Sequence, residues 1–234
     1  MNCKLLEQKI VNWLKKKVKN TKKNGFVVGL SGGIDSAVVS VLCQKAVGTK
    51  NLLCLILPCE TSKQDIETAK RFAKKFNLIT ETVDLTKTYK NFVKILPNGD
   101  KLTKGNLKPR LRMLTLYYFA NKLNYLVVGT GNKSELSIGY FTKYGDGGVD
   151  ILPIGNLHKS EVKNLAKQLN IPDEIIYKTP TAGLWTGQTD EGEIGMTYNE
   201  LEYRLKNKKL NKKLKKMLTS AKHKLAPPEI FKHK

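Results

Sequence analysis

The chain has 234 residues and carries 42 lysines and arginines against 20 acids, a formal net charge of +22. No apolar run reaches the eighteen or so residues that a membrane span needs, and the length suits one α/β domain, residues 1–234, with ample core. The lysines are spread widely and lack interleaved aromatics, so they read as solvated faces that steer small anions; a nucleic-acid partner is not expected.

The N-terminus, Met1-Asn2-Cys3-Lys4, runs straight into an amphipathic pattern with no signal-peptide core, which points to a cytoplasmic protein. Leu5, Leu6, Ile10, Trp13, Leu14 and Val18 predict a helix over 4–18. Phe26 to Leu30 is strand-like and breaks into Ser31-Gly-Gly-Ile-Asp-Ser36, at the mouth of an apolar helix running to Val47. Asn51–Leu57 reads as a second strand. Thr61-Ser-Lys-Gln64 reads as a capping box before a helix over 63–76. A third strand over Leu78–Leu85, a helix over Thr86–Leu96, a turn at Pro97-Asn-Gly-Asp100 and a helix over 109–122 follow. Tyr125–Gly129 is the fourth strand, and Asp150–Asn156 a short apolar turn of chain. A helix over 158–169 faces Val162, Leu165, Ala166 and Leu169 inward.

Residues 178–196 hold four glycines and a proline with no apolar period, which suggests a lid or binding loop. Thr197-Tyr-Asn-Glu200 is a second capping box, and 205–225 places Leu205, Leu210, Leu214, Leu218, Ala221 and Leu225 on one side. The four cysteines, Cys3, Cys43, Cys54 and Cys59, form no C-x-x-C pair and have no nearby histidine, so neither disulfide nor zinc is expected.

Strands alternating with helices imply a doubly wound parallel sheet flanked by helices, with extra helices at both ends. Ligands then bind at the carboxyl ends of the strands, which brings the loops after strands one and four to one site. Ser31–Ser36 is neither a Walker A loop nor a G-x-G-x-x-G turn. Its glycines let backbone N–H groups and a helix start form an anion nest. Asp35 beside such a nest implies an intervening cation. With Glu135 it makes a pair of hard oxygen ligands for Mg²⁺. Thr130 adds a hydroxyl. Lys159 stands at a helix start, where positive charge is disfavoured, so it is expected to serve an anion.

Ser31–Ser36 resembles the SGGxDS loop of the N-type ATP pyrophosphatases. Together with Asn106-Leu-Lys-Pro-Arg110, Gly129–Glu135, Tyr144-Gly-Asp146, Pro153-Ile-Gly155, Lys159-Ser-Glu161 and Lys178–Glu191, it makes the chain similar to the NAD synthetases, in their ammonia-dependent single-domain form, from about residue 5 to about residue 225. The resemblance implies an adenine nucleotide alpha hydrolase-like fold. It implies adenylation of deamido-NAD by ATP, then amidation by ammonia, releasing pyrophosphate and AMP. ATP is implied on Gly29, Leu30, Ser31, Gly32, Gly33, Ile34, Asp35, Ser36, Thr130, Lys159 and Thr181. Mg²⁺ is implied at Asp35 and Glu135, and deamido-NAD on Arg110, Lys143, Asp150, His223 and Lys224. Lys159, Thr181 and Asp150 are the implied catalytic set, Asp150 as a proton acceptor or a substrate ligand. A homodimer with the dinucleotide near the subunit interface is also implied.

Pro109 stands where the family often has alanine, Leu225 where a basic residue often follows His-Lys, and Gly183 where an acid often precedes the leucine. No amidotransferase segment is present, so free ammonia is the expected nitrogen source. Rival readings are a tRNA-modifying pyrophosphatase of the same loop family and a nucleotide-binding module without catalysis.

Overall fold

The computed structural model describes residues 2–233. Four parallel strands, β1 (Gly25–Gly29), β2 (Leu52–Ile56), β3 (Thr80–Thr82) and β4 (Tyr125–Val128), make one sheet in the order β3-β2-β1-β4. The strands are short, and β1, β2 and β4 are apolar on both faces, as a parallel sheet covered on both sides requires. Side chains alternate between the faces. Phe26, Val28, Cys54, Ile56, Leu126 and Val128 enter one buried cluster, while Val27, Leu55 and Val127 enter another. The first face is covered by α2 (Ile34–Val47) and α3 (Lys63–Lys75), with α1 (Cys3–Thr21) and α8 (Lys159–Gln168) packed on α2. The second is covered by α4 (Thr86–Ile95) and α6 (Leu107–Leu123). Each fully buried large apolar side chain contributes roughly 1.5–3 kcal/mol.

The chain steps from β1 to β2 to β3 on one side, then crosses back to β4 on the other side of β1. That reversal opens a crevice at the carboxyl ends of β1 and β4. The 31–36 and 129–135 loops leave the sheet there. Beyond β4, the edge is closed by Ile151, which makes a single parallel bridge to Val128.

Several boundaries differ from the sequence expectation. The third strand keeps only Thr80–Thr82, because it is an edge with one neighbour and all three residues are exposed. The cap of α3 (Lys63–Lys75) is Ser62, which accepts from Asp65 N; Thr61 instead accepts from Cys59 N. Residues 198–225 form two helices, α11 (Tyr198–Lys206) and α12 (Lys212–Leu225), since Asn211 caps a new start by accepting from Leu214 N. Leu225 is exposed rather than inward, because α12 ends there. Short helices α5 (Lys101–Gly105), α7 (Lys133–Ile138), α9 (Asp173–Ile176) and α10 (Asp190–Ile194) were beyond a periodicity reading. Their four to six residues hold less than two turns.

A third cluster, Ile138, Ile194, Met196, Tyr198, Leu201 and Leu214, ties α7, α10, α11 and α12 together beside the crevice. Cys43, Cys54 and Cys59 are buried thiols, and burial raises all three above the ordinary thiol value. No helix among the described residues is long and apolar enough to cross a membrane.

Candidate functional site

A cavity of about 460 Å³ occupies the crevice, walled by the loops after β1 and β4, by α6 and by residues 178–184. Its floor is the 31–36 loop, which is held by its own serines. Ser36 Oγ accepts from Ser31 N at 3.2 Å and donates to Gly33 O at 2.9 Å, and Ser31 Oγ accepts from Gly33 N. Gly32 has φ +77, and a Cβ there would lie 2.8 Å from Asp65 O of α3. Only glycine meets both conditions. Gly33 then caps α2 with no side chain of its own, leaving first-turn N–H groups directed at the cavity.

Lys159 is 2% exposed, yet carries its charge into this cavity. Its Nζ donates to Asp35 Oδ2 at 2.5 Å and to Glu135 Oε1 at 3.4 Å, and lies 5.1 Å from the centre of the Tyr198 ring. Three elements far apart in sequence thus meet at one ammonium group. Burial alone disfavours that charge; Asp35 and Glu135 outweigh it and hold Lys159 above the ordinary lysine value. Burial also pushes the Glu135 carboxyl up, against the pull of Lys159. Asn132, wholly buried, donates from Nδ2 to Asp35 Oδ1 at 3.1 Å and caps α7 through Glu135 N.

A further layer orients Lys159. Ser134 Oγ accepts from Lys159 N at 3.1 Å and donates to Glu202 Oε1, which also accepts from Ser160 N. Glu202 therefore places a carboxylate at the α8 N-terminus, where the helix dipole favours it and offsets the lysine in the first turn.

The 178–189 segment folds over the cavity and is tied at several points. Lys178 Nζ donates to Asp65 Oδ1 at 2.5 Å and reaches Gly32 O at 3.5 Å. Lys108, 4% exposed, pairs with Glu60 at 2.9 Å and donates to Leu184 O. Trp185 lies under Lys101, 4.7 Å from the ring centre.

The model of the NAD synthase family matches residues 6–230 of the chain. A protein of Carboxydothermus hydrogenoformans named NH(3)-dependent NAD(+) synthetase is 49% identical over 95% of each chain. Among solved structures, an NMN synthetase from Francisella tularensis superposes with a TM-score of 0.91 at 40% identity, covering 99% of this chain and 100% of that one. An NH3-dependent NAD synthetase from Campylobacter jejuni, solved with nitrate, gives 0.83 at 34%, with the same coverage.

The chain belongs to the NAD synthase family.

Against the NAD synthase expectations, Gly29, Leu30, Ser31, Gly33, Ile34, Asp35, Ser36, Thr130, Glu135, Lys159 and Thr181 all line this cavity, while Gly32 lies behind its wall against α3. Arg110, Lys143, His223 and Lys224 gather at its rim. Arg110 donates to Lys143 O, Lys143 Nζ donates to His223 O, and Lys224 Nζ donates to Gly139 O and Phe141 O. Only Lys224 of these four reaches the cavity wall. Asp150 does not join Lys159 and Thr181. Its Oδ2 accepts from Val127 N at 2.8 Å and its Oδ1 from Tyr117 OH at 3.0 Å, so it closes the open edge of β4 outside the cavity wall. Among residues that sequence reasoning passed over are Asn132, Lys178, Asp190, Tyr198 and Glu202. Asn132, Lys178 and Asp190 lie inside the quoted motifs, and the Asn132–Glu135 capping box is a local signal; their partners Asp35, Asp65 and Tyr198, and those of Glu202, are set by the fold.

Asp35 and Glu135 fit Mg²⁺ in kind, as hard oxygen donors beside an anion nest, with phosphate and water oxygens needed to complete the shell. No group of three or more metal-ligating side chains is found among the described residues.

Proposed function

We propose how this chain's residues divide the work of NAD⁺ synthesis. The reaction is the family's own: an ATP-dependent ligase reaction that converts deamido-NAD to NAD⁺ with ammonia. The observation that carries the division is the meeting of Asp35, Glu135 and Lys159 beside the 31–36 loop. ATP lies with its phosphates over the loop and the α2 N-terminus, with Thr130 and Thr181 as hydroxyl donors. The nicotinate carboxylate attacks the α-phosphorus and pyrophosphate leaves into the nest. Lys159 neutralises the charge growing on the phosphoryl oxygens, which is most of what such chemistry asks of a protein. Asp35 and Glu135 would hold Mg²⁺, which would supply further neutralisation of phosphate charge. Ammonia then attacks the acyl carbon, and AMP leaves. Residues 178–189, tied to the loop and to α6, keep water from the adenylate.

Lys178 is assigned a share in this closure, since it links the lid to the phosphate loop through Asp65 and Gly32. Lys178→Met is expected to raise the KM for ATP about tenfold, the weight of one charge-assisted hydrogen bond, and to speed proteolysis within 178–189. An unchanged KM and cleavage rate would remove Lys178 from the closure.

The rim residues Arg110, Lys143, His223 and Lys224 bind deamido-NAD, and Asp150 orients the rim from the sheet edge. We infer a homodimer through α6. On its outer face Leu114 and Tyr118 are 60% and 65% exposed, about one and two turns from Arg110. Adjacent apolar side chains beside a substrate rim suit a second copy of the same chain. Leu114→Asp with Tyr118→Asp should give a monomer in sedimentation equilibrium, with little change in thermal stability of the subunit; a dimer retained in that variant would place the interface elsewhere.

The deciding experiment is AMP and pyrophosphate release from ATP with Mg²⁺ and ammonium, with no acceptor, with deamido-NAD, or with nicotinate mononucleotide. Release that requires deamido-NAD and yields NAD⁺ supports the reading, and glutamine should not replace ammonium. The mononucleotide arm is included because of the likeness to the Francisella NMN synthetase. Preference for it would move the substrate but keep the chemistry. Release with neither acceptor would count against both.

A further inference from the structure

Asp190 opens α10 and is 4% exposed, and it belongs to the wall of the same cavity as Asp35, Glu135 and Lys159. Its Oδ2 accepts from Tyr198 OH at 2.9 Å. Its Oδ1 is buried and takes no hydrogen bond of ordinary geometry among the described residues; the Tyr140 hydroxyl, which donates to Glu193, stands close enough to favour the carboxylate's charge without filling that oxygen. A carboxylate oxygen taken out of water and left unpaired is rare in folded proteins and asks for a ligand. The neighbouring acids differ. Asp35 and Glu135 share the Lys159 ammonium. Glu193, nearby on α10, accepts from Tyr140 OH at 2.5 Å and from Gln188 Nε2 at 2.7 Å. Asp190 is the carboxylate at this end of the cavity with an acceptor still to fill.

We propose that Asp190 Oδ1 holds the ammonium ion that supplies the amide nitrogen. The proposal rests on the reading of ammonia as this chain's nitrogen source. A divalent hard cation is better served at Asp35 and Glu135, two carboxylates beside the anion nest; Asp190 offers one open oxygen with the phenols of Tyr140 and Tyr198 beside it. Ammonium asks for hydrogen-bond acceptors and accepts a ring face as a neighbour. The site already shows that preference for an alkylammonium: Lys159 Nζ sits between two carboxylates and 5.1 Å from the Tyr198 ring centre. The Tyr198 hydroxyl lies 2.9 Å from Asp190 Oδ2 and 3.4 Å from Glu135 Oε1, so Asp190 stands next to the Lys159 cluster. Asp190 is a binding residue in this assignment. It draws the cation to the cavity holding the adenylate. It is set in a helix anchored by Ile194 in the third apolar cluster, against Tyr198 of α11.

The test is Asp190→Asn, which keeps the shape and removes the charge. At saturating ATP and deamido-NAD, the KM for ammonium is expected to rise about tenfold or more, while the KM for ATP stays within about twofold. Trapping of the acyl-adenylate by hydroxylamine, a neutral nucleophile near pH 7.5, is expected to proceed as in the wild type. An unchanged KM for ammonium, or an equal loss with ammonium and hydroxylamine, would overturn the assignment. Should Asp190→Asn not fold, thallous ion in wild-type crystals reports on the same site. An anomalous peak beside Asp190 Oδ1 that ammonium displaces is expected, and its absence would overturn the proposal. Failure of the functional reading is separate, because then the wild type itself makes no NAD⁺ from deamido-NAD while the thallous site still answers for Asp190.

Discussion

Replacing Lys159 by alanine is expected to lower kcat by about 10²-fold or more, by analogy with loss of a single donor aimed at developing negative charge. Among the described residues, its side chain is the cation in direct contact with both Asp35 and Glu135, at 2.5 and 3.4 Å. Its removal also leaves two partly buried carboxylates facing each other. Breaking such a pair by deleting one partner typically costs about 3–5 kcal/mol; the partial exposure of Asp35 and Glu135, 18% and 16% of their side chains, places this case at the low end or below. The cost has a definite pH dependence. Glu135 is pushed up by burial to about 7 with Lys159 opposing the shift, and without Lys159 it rises further. An acid whose folded pKa lies above its unfolded value is penalised as pH rises. The penalty is absent below the unfolded value, near 4.5, and grows through the folded one. Thermal denaturation of Lys159→Ala should therefore diverge most from the wild type near about pH 8 and least near about pH 4. Lys159→Arg is not expected to restore turnover, since a planar fork does not occupy the place of a compact ammonium. Near-normal single-turnover pyrophosphate release by Lys159→Ala would remove it from the phosphoryl chemistry.

Gly32→Ala is expected to damage the nucleotide floor itself. At φ +77 an L-residue is strained by about 1–2 kcal/mol. The added methyl would also stand 2.8 Å from Asp65 O, a backbone atom of α3 that has no rotamer to give. Relief requires the 31–36 loop to lift from α3. That disturbs the Ser31–Ser36 bonds and the tie from Lys178 to Gly32 O. A lower melting temperature and a KM for ATP raised by about tenfold or more follow, the latter equivalent to roughly 1.4 kcal/mol of lost binding. Gly48→Ala is the control for the backbone effect alone. It has φ +76, no atom lies within 4 Å of the place its methyl would take, and it stands outside the cavity wall. If Gly32→Ala and Gly48→Ala were equally mild and ATP binding were unchanged, the loop would not be the cradle described.

Much of this site was legible in the chain itself. The Phe26–Ser36 stretch carries its own meaning, because strand, positive-φ glycine and helix start are local, and their order in the chain is their order in space. Buried strands and helices over 26–76 and 158–169 were also readable, because apolar period follows directly from backbone geometry. The short helices at 101–105 and 190–194 were not, since fewer than two turns hold no period. The split at Asn211 depended on a side-chain cap inside a leucine-rich stretch whose spacing runs through it.

What the sequence by itself determined is the set of chemical parts: a phosphate loop, two acids and a misplaced lysine. Which of them touch was decided by the strand order, because β1 lies between β2 and β4 and only that reversal brings residues 35, 135 and 159 to one point. The tertiary structure also reversed the places of two aspartates, Asp150, which the sequence reading put in the site, and Asp190, to which it gave no role. Asp150 is spent on the open edge of β4, bonded to Val127 N and Tyr117 OH. Asp190 is carried by α10 into the cavity with one oxygen unpaired. A carboxylate's role follows from what surrounds its oxygens, and those neighbours come from parts of the chain that no local pattern connects.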